Sequence, residues 1–217
     1  MLFRSLFRIQ PEALAFDLHP DYLATRYARR RAEREGLSAF GVQHHHAHVA
    51  ACLAEHGLET GARAIGVAFD GTGYGTDGAI WGGEFLIAGY RDFERAYHLA
   101  YIPLPGGDAS IRKPARTALA HILAAGLDLE GDLPPFDALQ SSERAAAEHQ
   151  ARTGLNAPPT SSMGRLFDAV ASIAGVRHEV NYEGQAAIEL ESLADPAEAS
   201  SYGFEIRDGE VSAGPVI

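Results

Sequence analysis

The chain has 217 residues, 46% hydrophobic and 22% charged, which allows one or two domains with a substantial core. No uninterrupted apolar run reaches the length of a membrane span, and residues 1–9 mix arginines with apolar residues without the small-residue site of a signal peptide. A formal net charge of −11 disfavours free nucleic acid as a partner, and a lone cysteine, Cys52, excludes an internal disulfide and fits a reducing, cytoplasmic setting.

In chain order, the residues first predict a helix over 22–34, preceded by the cap and turn chemistry of Asp17-Leu18-His19-Pro20-Asp21. A short strand over 39–42 then leads into a helix over about 45–56 that Gly57 closes. The clearest β signal is the apolar run 64–69, followed by 79–90, which read as a hairpin with a polar loop over 70–78. A third strand is expected over 96–102, ahead of the breaker Pro103-Leu104-Pro105-Gly106-Gly107. Helical patterning covers 112–125, 143–153, 164–174 and 184–193. Asp195-Pro196 breaks it, and a weak strand over 202–207 turns at Asp208-Gly209 into another beginning at Glu210. A sheet-rich part, about 37–110, and a helical part, about 111–195, point to an α/β fold with a ligand cleft between two lobes.

The segment Gln43-His44-His45-His46-Ala47-His48 places four histidines at one helix start. Neighbours on a helix face lie three or four residues apart, so His44 and His48 share a face and offer two imidazoles to a transition metal. Cys52 continues that face, as a third ligand or a buried core thiol, the latter being favoured, while His45 and His46 point elsewhere, toward a substrate or a supporting carboxylate. No glutamate follows His44, which excludes the zinc-protease motif. Asp70, at the end of the apolar run, would deliver a carboxylate to the same metal or orient a water. Gly71-Thr72-Gly73-Tyr74-Gly75 then offers backbone N–H groups that can cradle an anion, with the Thr72 hydroxyl for phosphate or metal. Without the lysine and spacing of a Walker loop it is not that class of NTPase site.

Farther along, the Gly106-Gly107-Asp108 turn and Lys113 are candidates for an anionic ligand, with Pro114 at a helix start. In Ser161-Ser162-Met163-Gly164-Arg165-Leu166-Phe167-Asp168, the apolar residues make a buried stripe. Asp168 on the same helix suits a ribose diol better than a core. Asn181-Tyr182-Glu183-Gly184-Gln185-Ala186-Ala187 supplies small residues for a close approach to adenosine, and Glu189 follows on that helix.

Taken in order, six segments resemble the C-terminal carbamoyl-transfer domain of the hydrogenase maturation carbamoyltransferase family (HypF). They are Asp17 to Tyr22, Val42 to His48, Val67-Ala68-Phe69-Asp70-Gly71-Thr72-Gly73-Tyr74-Gly75, Leu104 to Asp108, Ser161 to Asp168 and Tyr182 to Ala187. The resemblance covers nearly the whole chain. It implies an actin-like, sugar-kinase and heat-shock ATPase (ribonuclease H-like) fold. It implies also that a carbamoyl group passes from carbamoyl-adenylate, made from carbamoyl phosphate and ATP, to the C-terminal cysteine of a thiol-bearing maturation protein (HypE). The transferred group becomes a cyanide ligand of a [NiFe]-hydrogenase.

By the same resemblance His44, His48 and Asp70 are metal ligands, for iron rather than zinc. Gly71 and Thr72 face phosphate and acyl group, Gly106, Gly107, Asp108 and Lys113 belong to the nucleotide site, and Asp168, Gly184 and Glu189 lie near ribose and adenine. The domain is expected to be incomplete at both ends. An aspartate of the metal set would be missing, apolar surface would be exposed, and catalysis by this chain alone is not expected. The rival readings are a tRNA threonylcarbamoyl-adenosine enzyme of the same fold, a non-catalytic nucleotide-binding module and a metallohydrolase.

Overall fold

The computed structural model describes residues 6, 8–129 and 131–217. The first unit is a parallel pair joined by a helix. Strand β1 (Ala13–Asp17), which the residue pattern does not announce, lies beside β2 (Ser38–Val42), and α1 (Leu23–Glu35) crosses between them. Thr25, Ala28 and Ala32, spaced three and four apart, form the buried stripe of α1, and Arg26, Arg29, Arg30 and Arg34 face outward. The Thr25 hydroxyl donates to the Asp17 carbonyl at 2.8 Å and pins the helix start to the end of β1.

The histidine helix, α2 (His44–Glu55), follows β2 directly. Its buried face consists of His45, His46, Val49 and Leu53, and it packs on the second sheet, where Val49 and Leu53 join Ala68, Leu86 and Ala88 in one apolar cluster. Cys52 is exposed, not in the core. It lies one turn beyond His48, on the side of the helix away from that apolar contact.

The second sheet has seven strands among the described residues. Its centre is the antiparallel hairpin of β3 (Ala64–Tyr74) and β4 (Ile80–Ala88), flanked by β5 (Phe93–Leu99). The short strands β6 (Ile102–Pro103) and β7 (Pro159–Thr160), and the hairpin of β8 (Glu205–Arg207) and β9 (Glu210–Ser212), complete it. The expected polar loop over 70–78 is a correction. The strand runs through to Tyr74, but its register shifts, so that Asp70, Gly71 and Thr72 stand opposite Gly82 alone, between the pairs Phe69–Gly83 and Gly73–Trp81. The extra residues are extruded as a bulge, which re-aims their side chains. The third strand begins earlier than expected and breaks at Ala100-Tyr101. At the Asp208-Gly209 turn both φ angles are positive, 51° and 86°, the geometry that a two-residue hairpin turn requires.

Expected apolar exposure is found on β3, whose Ile65, Val67 and Phe69 alternate outward while the intervening residues face α2. The expected helix over 112–125 is found as α4 (Pro114–Ala124), and a separate short helix, α3 (Asp108–Arg112), precedes it. Pro114 lacks an N–H and forces its predecessor out of helical geometry; Lys113 accordingly has φ −126° and ψ 84°. Helix α4 is buried nearly all round. It packs against α5 (Pro134–Asp137), α6 (Ser141–Thr153) and α7 (Met163–Ile173), with Leu119, Ile122, Phe136 and Leu139 in the larger apolar cluster. A last short helix, α8 (Gln185–Glu191), packs on α7.

A buried ionic network locks the hairpin to the α7 side. The Glu84 carboxylate, with no exposed surface, accepts from Gly82 N–H, Gly83 N–H, the Ser161 hydroxyl at 2.6 Å and Arg95 Nε at 2.6 Å. Arg95 in turn lies 3.8 Å over the Trp81 ring and donates to the Tyr101 hydroxyl. Removing one partner of a buried pair leaves the other uncompensated. Arg95→Met is therefore expected to destabilise the chain by about 3 kcal/mol, read as a lowered urea midpoint at unchanged m-value.

Candidate functional site

The bulge in β3 and the N-terminus of α2 meet. His44 Nε2 lies 3.0 Å from Asp70 Oδ2 and 3.2 Å from His48 Nε2, and the three ligand atoms all fall within 4.8 Å of one another. Two features bring them together. Gln43 caps the helix, its Oε1 accepting from His46 N–H at 2.8 Å while its Nε2 donates to the Tyr74 carbonyl, which ties the helix start to the end of β3. Gly73 allows the approach: a Cβ there would stand 2.4 Å from His45 Cε1 and 3.0 Å from His44 Cδ2.

The protonation pattern of the cluster is constrained. His44 Nδ1 lies 2.8 Å from Asp17 Oδ2, so Nδ1 carries the proton and donates it, and the Nε2 lone pair points into the cluster. Asp70 Oδ1 accepts the Gly71 N–H at 2.6 Å, whereas Oδ2, though buried, has no hydrogen-bond partner. Two acceptor atoms 3.0 Å apart repel unless something positive lies between them. Two imidazole nitrogens and one carboxylate oxygen around that point fit a divalent transition ion, with iron(II) and zinc both suited to the donor set. His48 is the exposed member, which leaves coordination positions open toward solvent.

The other side of the bulge faces a cavity of about 400 Å³, lined by Thr72, Arg112, Arg165, Asp168, Tyr182 and Gly184 among others. Helix α7 presses its N-terminus against the bulge: the Ser162 hydroxyl caps that helix by accepting from Arg165 N–H, and donates to the Asp70 and Gly71 carbonyls. The contact is so close that a Cβ on Gly164 would meet Gly71 Cα at 2.8 Å. Arg165 Nη1 and Asp168 Oδ2, both nearly fully buried, pair at 2.7 Å, while Arg165 Nε has no hydrogen-bond partner. Burial outweighs the neighbouring guanidinium and pushes the Asp168 carboxyl up to about 6. A buried guanidinium with a free N–H, beside a carboxyl that it holds by one oxygen, is equipped for an anion at the cavity, and the carboxyl can accept from a hydroxyl.

Of the residues singled out from sequence, His44, His48 and Asp70 converge, Gly71 adjoins Arg165 and Glu183, and Thr72, Asp168 and Gly184 line the cavity. Gly106 and Gly107 form a positive-φ turn before α3, and Asp108 is the exposed first residue of that helix. Lys113 is engaged with Glu143 at 2.8 Å, and Glu189 takes both ends of the Arg177 guanidinium at 2.7 Å. None of these five lines the cavity. Asp17, Gln43 and Arg165 were missed. Gln43 stands at a helix N-cap position, and that was its signal; Asp17 lies 27 residues from its histidine and had none.

Two family models match most of the chain. Residues 66–217 match the family described as carbamoyltransferase, Kae1-like domain, second subdomain, and residues 1–55 match the HypF Kae1-like domain. Carbamoyltransferase HypF2 of Cupriavidus necator is 47% identical over 189 residues, covering 86% of this chain and 23% of the relative. HypF of Rhodobacter capsulatus is 46% identical over 88% of this chain and 26% of its own length. A crystal structure of full-length HypF in a phosphate- and nucleotide-bound form superposes with a TM-score of 0.82 at 43% identity, over 99% of this chain and 27% of that one. T. kodakarensis HypF gives 0.84 at 32% identity over 98% of this chain and 29% of that one. The chain thus spans about a quarter of the length of these relatives.

Two predictions follow from the electrostatics of the site. Asp17→Ala frees His44 Nδ1 and should weaken zinc binding by about 10- to 100-fold, measured by competition with a chelator. Asp168 is raised in the folded state, so folding takes up protons between the ordinary carboxyl value and about 6, and stability falls as pH rises through that window. Asp168→Asn should remove that fall, gaining about 2–3 kcal/mol on the unsubstituted chain between pH 4 and pH 8 in urea unfolding.

Proposed function

Because this chain belongs to the HypF carbamoyltransferase family, we propose that its cluster and cavity form a carbamoyl-transfer centre fed by a nucleotide. The donor would be carbamoyl-adenylate, derived from carbamoyl phosphate and ATP, and the acceptor the C-terminal cysteine thiolate of a hydrogenase maturation partner, HypE. The observation that carries this reading is the shared bulge: Asp70 turns to the histidines, and Thr72, two residues on, turns to the cavity with Arg165 and Asp168. A nucleotide phosphate in the cavity would therefore sit beside the cluster. The nucleotide in the related full-length HypF structure supports the choice of ligand.

In this reading Asp168 accepts a ribose hydroxyl, and Arg165 and Arg112 face the phosphate charge. The Thr72 hydroxyl and the backbone N–H groups of the bulge hold the phosphate and acyl oxygens. His44, His48 and Asp70 would hold a divalent ion, iron by family likeness, which supplies Lewis-acid polarisation of the acyl carbonyl. The thiolate forms the C–S bond at the carbamoyl carbon, the C–O bond to phosphate breaks, and AMP leaves with the electron pair. In this reading the chain needs no nucleophile of its own, Cys52 included, because the partner supplies the thiol.

The test is calorimetric titration with AMP and ATP, with zinc or iron(II) added and after chelation. Metal-dependent nucleotide binding is expected, and no binding by a folded sample would sink the reading. His44→Ala and His48→Ala should each abolish tight metal binding with unchanged circular dichroism; unchanged stoichiometry in both would remove the ligand assignment.

A further inference from the structure

Of the two histidines of the run that the mechanism above leaves unused, His46 is tied to the Gly89 carbonyl at 2.7 Å, which leaves His45. It is fully buried, packed beside Trp81, with its Nε2 lacking any hydrogen-bond partner. That nitrogen faces Asp70 Oδ2 at 3.8 Å, the same oxygen that His44 approaches at 3.0 Å. A third imidazole so close to the cluster has two possible roles, and the position of its proton separates them. With a lone pair on Nε2 it is a ligand; with a proton there it is a donor that cannot ligate.

The surroundings fix that proton. Gln43 Oε1 accepts from a backbone N–H, that of His46, at 2.8 Å, and its Nε2 lies 3.3 Å from the Tyr74 carbonyl, so the amide has one possible orientation. The NH2 end then meets His45 Nδ1 at 3.0 Å as a donor. Nδ1 must accept, and the neutral ring carries its hydrogen on Nε2, aimed at the carboxylate.

We propose that His45 is a positioning residue for Asp70, held by Gln43 as the Nε2–H tautomer, and that it steadies the carboxylate electrostatically without joining the metal set. Asp70 is thereby held between three groups: Gly71 N–H on Oδ1, the cluster ion on Oδ2, and the His45 N–H beside Oδ2. The site keeps two imidazoles and one carboxylate, with open positions for substrate. This inference rests on the metal reading of the preceding subsection.

The experiment has two readouts. In the metal-free chain with nitrogen-15 histidine, long-range proton–nitrogen spectra should show His45, assigned by its absence in His45→Gln, as the Nε2–H form. Zinc affinity is then compared among variants. His45→Gln supplies an amide N–H near the Nε2 position but no ligating lone pair, and should bind zinc within about threefold of the unsubstituted chain. His45→Leu, without a donor, should lose about tenfold or more. An Nδ1–H form, a loss in His45→Gln as large as in His44→Ala, or full affinity in His45→Leu would each overturn the proposal. Zinc binding that survives His44→Ala would overturn the metal reading instead, and would leave the His45 tautomer where it is.

Discussion

The structure turns on two acceptor atoms placed 3.0 Å apart: the His44 Nε2 lone pair and Asp70 Oδ2. In a metal-free chain that contact is unfavourable, and a side chain free to move would relax away from it. Neither is free. Asp17 grips the far nitrogen of His44 from the end of β1, and Gly71 N–H grips the far oxygen of Asp70 from within the bulge. The two grips come from different sheets, so the parallel β1–β2 unit and the long hairpin must be correctly placed before the cluster exists. Preorganisation of this kind is what makes a cation welcome, because the cost of bringing the ligands together has been met by folding.

The bulge in β3 is the second constraint on the site. A regular strand would alternate its side chains up and down, and could not give Asp70 to one site and Thr72 to another with Gly71 between. Extruding three residues against one does that, at the cost of ladder hydrogen bonds. The cost is offset by α7, whose cap residue Ser162 donates to the Asp70 and Gly71 carbonyls, and by Glu84, which takes the N–H groups of Gly82 and Gly83 across the hairpin. The residues that stabilise the irregular backbone are also those that bring Arg165 and Asp168 to the cavity. Fold and site are one set of contacts here.

That coupling explains what could be read from the residues and what could not. The i, i+4 spacing of His44 and His48, the apolar run ending in Asp70, and the Asp208-Gly209 turn are local signals, and each appears where its local geometry demands. The bulge escaped because Gly71, Gly73 and Gly75 read as turn residues, while here glycine serves close packing against α2, α7 and Trp81. Cys52, expected in the core, continues the exposed side of α2 that carries His44 and His48; the buried face is instead defined by His45, His46, Val49 and Leu53. Asp17, Gln43 and Arg165 act through partners on other elements, or through a hydrogen-bond direction, and no spacing rule encodes either. The family likeness, by contrast, was legible because it rests on ordered motifs rather than on any one of them.

Three adjacent histidines sharpen the point. Sequence alone treats them as equivalent imidazoles, and helical spacing distinguishes only which face each occupies. The folded environment gives each a different chemistry: His44 has its lone pair turned inward by a carboxylate, His45 has its proton turned inward by an amide, and His46 is spent on the Gly89 carbonyl at 2.7 Å. A proposed metal ligand, a proposed donor and a structural tie thus arise from one repeated side chain. What differs among them is the partner of the second ring nitrogen, which is the feature of a histidine site that a list of ligands leaves out.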